Sequence, residues 1–471
     1  TTLSPVSNHI RLAVFLALSV VLYYIAGGAY LLFAVLCAIY ELLFKRRPLP
    51  GLLCLLSAAA VPYILGVLVF GASAVSAFSD LMPFSWKILS YKGRSRLINT
   101  VYVLYLFLPV TMLALAFWKD VLSPRIYIRL LSRRKKSKPK TRLSIFRPVV
   151  ESFALFGIAS AAVFFSYDAE KRTLSAVHYY ACNRMWPQVL VEARRYPGNS
   201  FVVNAVNRAL HHTGRLGYDM FCWPQHPDVL LQTGEDQILA YWHKFDTQLD
   251  LGLVNMAEKN LTECMEVFGE HPIILKRLAL INIVKANYGS ARIYLGALSR
   301  TLFHSDWAND YLARLQSDPN LSGDERVQHL RSVCMKKDYP TIFFSTGRML
   351  RDLLEQNGKN RMAFEYLTAW YMLTKQLDNL TRTIERLNDF DYRELPRLYE
   401  EALLIYVYGT KKTVNLTGYE STRQSRRRIE HFSHVFNRYR KNKQAAYDEL
   451  AKDYGDSYFF YHIYGISGVR K

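Results

Sequence analysis

Zinc and dithiol chemistry have no foothold in this 471-residue chain, because its six cysteines contain no CxxC pair. Cys37 and Cys54 fall inside apolar stretches, while Cys182, Cys222, Cys264 and Cys334 are scattered through the second half. Two disulfides are conceivable if that half faces an oxidising space, but buried free thiols at helix-packing positions are the preferred reading. No GxSxG, HExxH, Walker or GxGxxG context occurs, so nothing in the sequence places the chain in an enzyme class. Acids are also scarce: 39 Asp and Glu stand against 60 Lys and Arg, a net charge of +21. Such a balance usually points to nucleic acid or an anionic membrane. Here eleven of the cations lie in residues 119–147, beside the single acid Asp120. That run sits between two apolar stretches, where positive charge sets topology and meets lipid headgroups. Membrane lipid, and not nucleic acid, is the expected partner.

After Tyr167 no membrane-length apolar run remains, whereas before it five such stretches alternate with short basic loops. A spanning helix needs about twenty apolar residues. Residues 10–44 are too long for one span and are interrupted by Gly27-Gly28, which predicts a hairpin of helices 10–26 and 29–44, with a kinked single helix as the alternative. Further spans are expected at 52–71, 98–118 and 149–166. Lys45, Arg46, Arg47 and the 119–148 loop then face the cytoplasm, and the last span delivers the remainder to the opposite side. Lys87, Lys92, Arg94 and Arg96 dissent, on a segment read as amphipathic and interfacial. The spans carry no deep ionisable group and show no inverted repeat, which argues for an anchor and against a transporter. The opening Thr1 leads to the expectation of a trimmed N-terminus with no signal peptide.

The second half reads as helix, short break, helix. Its clearest unit begins at His271: Ile274, Leu278, Ile281 and Val284 share one helix face. A turn at Asn287 follows, and then a helix whose Ala291 and Ala297 permit close approach while Tyr288, Tyr294 and Leu298 fill the space around them. This resembles a tetratricopeptide repeat, whose period is about 34 residues. Weaker echoes occur around Trp186, Ala205, Met256 and the run 362–373. An array of helix pairs hides its apolar faces by stacking each pair on its neighbours.

With these stretches in view, the chain resembles a group of multi-span membrane proteins of gut-type Gram-negative bacteria that carry a TPR-like periplasmic tail. The residues that carry the resemblance are Tyr23, Tyr24 and Gly28, the stretches 204–216, 255–261 and 276–307, and Thr301-Leu302-Phe303 within the last. The resemblance implies architecture and localisation, and it brings no assigned activity.

Groups that might carry chemistry each have a plain structural reading. His178, His211 and His212 are read as satisfied or surface histidines, since adjacent helical positions diverge by about 100°. Glu400 with Glu401, Asp389 with Asp391, and Asp306 with Asp310 are read as solvated or capping pairs. Arg423, Arg426, Arg427, Arg428, Arg438, Arg440, Lys441 and Lys443 interleave with Phe432, Phe436 and Tyr439, as in a terminal helix that packs its aromatic stripe and solvates its charge.

The expected organisation is all-α. Residues 1–167 form a transmembrane anchor of about five helices with a basic cytoplasmic loop at 119–148. Residues 168–410 form a TPR-like solenoid, and residues 411–471 a basic, aromatic helical cap. By fold analogy, the concave face of the array would bind a protein partner through Asn204, Asn207, Arg208, Lys276, Arg277 and Asn282. Arg133, Arg134, Lys135, Lys136, Arg426, Arg427 and Arg428 would meet lipid or an acidic partner. No catalytic residue, metal ligand or cofactor is expected. The functional expectation is a multi-pass inner-membrane scaffold protein of a bacterial envelope assembly with a periplasmic tail. The alternative is a subunit or remnant of a membrane glycosyltransferase-like enzyme acting on lipid-linked sugars.

Overall fold

The computed structural model describes residues 5–70, 74–79, 96–121, 157, 169–231, 238–336, 345–412, 414 and 421–469. Every element among them is helical, and the chain divides into two compact units, one of Thr1–Tyr167 with Arg300–Leu302 and one of Asp168–Ser299 with Phe303–Lys471.

The first unit begins with α1 (Pro5–Ala26), a 3-10 turn (Gly27–Ala29) and α2 (Tyr30–Ile39), which widens into a π turn (Tyr40–Phe44). Gly27 holds a φ of 53°, a left-handed value that glycine adopts without a Cβ penalty. The chain reverses there. Phe15 stacks on Phe33 with ring centroids 6.0 Å apart, although a straight helix would separate these positions by about 27 Å. The helical run Ala13–Phe44 is therefore folded into a hairpin. α3 (Pro48–Val61), continued by a π turn (Pro62–Val69), packs along α2. Small residues allow the approach: Ala34, Ala38, Cys54 and Ala58 are buried between them. The Tyr30 hydroxyl donates to Ser57 Oγ at 2.9 Å, and the Tyr23 hydroxyl to the Ala77 carbonyl of α4 (Ala74–Ser79) at 2.9 Å.

Among the described residues, two helical runs are long and apolar enough to cross a membrane, Ala13–Phe44 and Pro48–Val69. The expectation of about five spans is corrected accordingly. α5 (Arg96–Val121) is a helix of 26 residues that contains the apolar stretch Tyr105–Phe117. The expected span at 149–166 lies outside the described residues except for position 157, as does the basic loop at 122–148. The outer surface of this unit is apolar: Leu49, Leu68 and Phe117 are 73%, 65% and 68% exposed.

The second unit is built from helix pairs. α6 (Ala169–Cys182) and α7 (Trp186–Ala193) form the first, α8 (Ser200–His212) and the short α9 (Leu216–Asp219) the second, and α10 (Ile238–Leu251) and α11 (Val254–Phe268) the third. α12 (Pro272–Val284) and α13 (Tyr288–Leu298) follow, then α14 (Ser305–Ser317) and α15 (Glu325–Val333). α16 (Thr346–Gln356), α17 (Arg361–Leu373), α18 (Leu377–Ile384) and α19 (Arg397–Thr410) come next, before α20 (Arg423–Arg438), α21 (Lys443–Tyr454) and α22 (Tyr458–Tyr464).

One device joins the partners of five pairs. A left-handed residue ends the first helix: Arg184, Gly214, Gly252, Ala286 or Lys375. The N–H of the next residue then closes on a carbonyl five positions back, as in Met185 to Tyr180, Arg215 to Leu210, Leu253 to Gln248, Asn287 to Asn282 and Gln376 to Tyr371, at 2.7–2.9 Å. The bond satisfies a carbonyl left open at the helix end and reverses the chain. At Gly252 a side chain would also strike the Val333 carbonyl.

These pairs do not stack only on their sequence neighbours. α8 and α9 pack with α17, α19 and Tyr458 of α22 in one core, while α10–α15 surround a second. Arg397 donates to the Tyr218 carbonyl at 2.9 Å, and Asn360 donates to the Leu251 carbonyl at 2.9 Å. The early and late helices are thus fastened together. The aromatic tail is buried on α19: Tyr458, Phe459 and Phe460 are at most 1% exposed.

Glu400 and Glu401 on α19 are buried, not solvated, and act as caps. Glu400 accepts from the Thr422 N–H and, at 2.6 Å, from the Ser425 hydroxyl at the start of α20; Glu401 accepts the Tyr458 N–H at 2.7 Å at the start of α22. Burial pushes the Glu401 carboxyl up to about 7, against the pull of Arg397 and Arg428.

Two outcomes follow. With the native cysteines replaced, cysteines at Phe15 and Phe33 crosslink within one chain through a short bismaleimide; failure to crosslink would mean an extended helix. For Glu401 the folded chain holds its proton more tightly than the unfolded chain, so stability from this group is gained as pH falls from about 7 to about 4.5. Glu401→Gln should therefore raise the melting temperature at pH 8, by an effect on the order of 3 kcal/mol at most, and change little at pH 4.5. Equal effects at both pH values would contradict a buried, reluctant carboxylate.

Candidate functional site

Trp186 opens α7 and gathers charge around its ring. The His212 imidazole stacks on it at 4.3 Å with planes 10° apart, and the guanidiniums of Arg208 and Arg184 lie 5.3 Å and 6.0 Å from its centroid. Arg208 and His212 are one turn apart on α8 and therefore point the same way.

Facing them is α10, where Asp246 and Asp250 are also one turn apart, between the buried Phe245 and Leu249. Arg208 donates to Asp250 Oδ2 through Nη2 at 2.7 Å and Nε at 3.2 Å, and His212 Nε2 lies 3.3 Å from the same oxygen. Arg277 of α12 grips Asp246 with two bonds, at 2.7 Å and 2.6 Å. Burial works against the Asp250 carboxylate, but the Arg208 guanidinium and His212 hold it well below the usual carboxylate range. A second cluster joins α8 to α17. Glu365 Oε2 lies 2.6 Å from His211 Nδ1, and Glu365 Oε1 accepts from Arg361 at 2.8 Å and from the Tyr392 hydroxyl at 2.5 Å. Burial alone would raise the Glu365 carboxyl; His211, Tyr392 and Arg361 bring it below its ordinary value. The acidic half of both clusters escaped the sequence reading. The available signal was Asp246 and Asp250 at a four-residue spacing inside an apolar helix, which requires cationic partners.

The six residues expected to line a groove fare differently. Asn204 is fully buried, donates to the Val229 and Leu230 carbonyls at 2.9 Å and 3.0 Å, and accepts from the Thr247 hydroxyl. Asn207 exchanges two bonds with Gln225, and Asn282 donates to Glu258 and the Leu278 carbonyl. Arg208 and Arg277 are committed to the aspartates. These five do not line an open groove, because α8, α10 and α12 pack their polar faces inward against other helices. Lys276 differs: it is half-buried, with its ammonium 4.6 Å from the centre of the Trp307 ring. On α20, Arg426 and Arg427 are exposed; Arg428 is half-buried, over Tyr454 and 3.6 Å from Glu401. Arg133, Arg134, Lys135 and Lys136 lie outside the described residues.

A thiol–imidazole pair also appears. Cys182 Sγ is 3.7 Å from His178 Nε2, and Arg277 Nη2 is 3.5 Å from the same sulfur. Burial raises the thiol and lowers the imidazole to about 4, with Arg277 adding to the latter effect. At neutral pH both groups are uncharged, the opposite of a thiolate nucleophile beside an imidazolium. Among the described residues no group of three or more His, Cys, Asp or Glu is placed to hold a metal ion.

The network's weight in the fold is measurable. Arg208→Ala leaves the buried Asp250 carboxylate with only His212 and should cost about 3–5 kcal/mol of unfolding free energy, while Arg426→Ala should stay within about 0.5 kcal/mol of the parent. Denaturant titration of the full chain in detergent checks this, and similar values for the two would contradict the network.

No curated protein and no solved structure matches the chain. The model of a family of unknown function, DUF6057, matches residues 2–465. The chain belongs to that family.

Proposed function

We propose that this protein is a membrane-anchored binding protein whose second unit engages a protein partner of a bacterial cell envelope. The observation that carries the reading is the contrast between the two units. The first exposes Leu49, Leu68 and Phe117 on helices with almost no polar surface, which water would penalise and lipid would not. The second has charged outer faces and helix pairs whose left-handed turns, at Arg184, Gly214, Gly252 and Ala286, recur at roughly the period of TPR-type repeats. Stacked helix pairs create extended surfaces suited to binding. The exposed Arg426 and Arg427 are available to lipid headgroups or an acidic partner. A multi-pass inner-membrane placement with the second unit in the periplasm follows from the basic 119–148 loop.

The test combines purification of the full chain in mild detergent, with bound proteins identified by mass spectrometry, and a topology reporter fused after Lys471. A stoichiometric partner and periplasmic reporter activity are expected. Recovery from the soluble fraction without detergent would refute the anchor, and cytoplasmic reporter activity would refute the periplasmic assignment.

A further inference from the structure

α19, α20 and α22 leave a cleft of about 250 Å³ between them. Its floor is closed and apolar, with Ile429, Phe432 and Phe459 buried. Tyr408 and Ile463 line it too and are exposed, so the apolar surface continues out to its mouth. Three polar groups border it: Ser433 and Asn437 of α20, and His462 of α22. Burial and Lys375 lower the His462 imidazole, which leaves it neutral at pH 7. The cleft thus carries no charge of its own. The Ser433 hydroxyl and the Asn437 amide are exposed, and neither side chain is hydrogen-bonded among the described residues.

These features narrow the occupant. The cleft is smaller than the roughly 300–1,000 Å³ of sites that enclose a drug-sized ligand, so it admits one side chain or one short apolar chain. An uncharged lining disfavours an ionised group inside it. The rim separates the remaining two. Asn437 presents a donor and an acceptor together, as does a peptide unit, whereas an acyl chain offers neither. Charge points the same way. Arg426, Ser433 and Asn437 recur seven and four residues apart and follow one flank of α20. Arg423, Arg426, Arg427 and Arg438 are exposed on that helix, and Glu430 is its one acid. Arg426 donates through Nε to Ser421 Oγ at 2.6 Å and keeps its terminal nitrogens for another acceptor. A segment with carboxylates beside its apolar anchor complements such a rim.

We propose that the cleft between α19, α20 and α22 receives one aliphatic or aromatic side chain from an acidic segment of the protein partner. Asn437 and Ser433 bond the backbone of that segment, and Arg426 meets its carboxylates. The proposal rests on the reading that the second unit engages a protein.

The experiment measures fluorescence anisotropy of the labelled peptide Gly-Asp-Glu-Leu-Glu-Asp-Gly with the full chain in lipid nanodiscs, where no detergent competes. The peptide should bind, and its central Leu→Ala version should bind about tenfold or more weakly, the loss expected for one anchor side chain. A Lys-flanked version should not bind. Ser433→Trp, which fills the cleft from an exposed position, and Arg426→Glu should each weaken binding by a similar factor while the melting temperature stays at the parent value. No binding of the acidic peptide, equal binding of its Leu and Ala versions, or binding that survives both substitutions would each overturn the proposal. Uptake of a fluorescent dodecanoate that Ser433→Trp blocks, with no peptide binding, would assign the cleft to an acyl chain instead. A partner co-purifying equally with the parent and with Ser433→Trp would overturn the cleft and leave the protein-partner reading standing; no partner with the parent would remove both.

Discussion

Two carboxylates one turn apart on α10 organise the second unit. Asp246 and Asp250 are 7% and 6% exposed, and an aspartate so far from water is tolerable only if cations reach it with good geometry. Arg208 and His212 come from α8, and Arg277 comes from α12, so α10 is clamped from both sides. The apolar cores on either side would accept several small shifts of register. The charge pairs accept almost none, because an oxygen displaced by an ångström loses its bond and keeps its desolvation cost. Glu365 repeats the arrangement between α17 and His211.

Such a network holds helices together: Arg208, His212 and Arg277 are committed to Asp246 and Asp250, and burial holds Cys182 and His178 neutral. The exposed Arg426 and Arg427 on α20 stand apart from it, on the flank of one helix.

Helix pairing was legible in the sequence because it rests on local rules. The periodicity of Ile274, Leu278, Ile281 and Val284, and the break at Asn287, require only a helix and its end. The inward packing of Phe432, with Phe436 partly buried beside it, was legible for the same reason. The fate of Asn204, Asn207, Arg208 and Asn282 was not, because polar residues on a repeat helix look alike whether they face a groove or another helix. The difference lies in what meets them: residues 225–230 and α10 against Asn204, Asn207 and Arg208, and Glu258 of α11 against Asn282. Likewise Glu400 and Glu401 read as solvated or capping, and only the starts of α20 and α22 placed against them decide for capping.

The fastening of early helices to late ones bears on how such a chain changes over evolutionary time. An open stack of pairs lengthens by duplicating a unit in its middle, since each pair meets only its neighbours. Here Arg397 must find Tyr218, and Asn360 must find Leu251. An inserted pair would pull those ends out of reach, and a deleted pair would make them collide. The number of helices between α9 and α17 is therefore fixed by closure, and variation among relatives should accumulate in substitutions and loop lengths instead of repeat number.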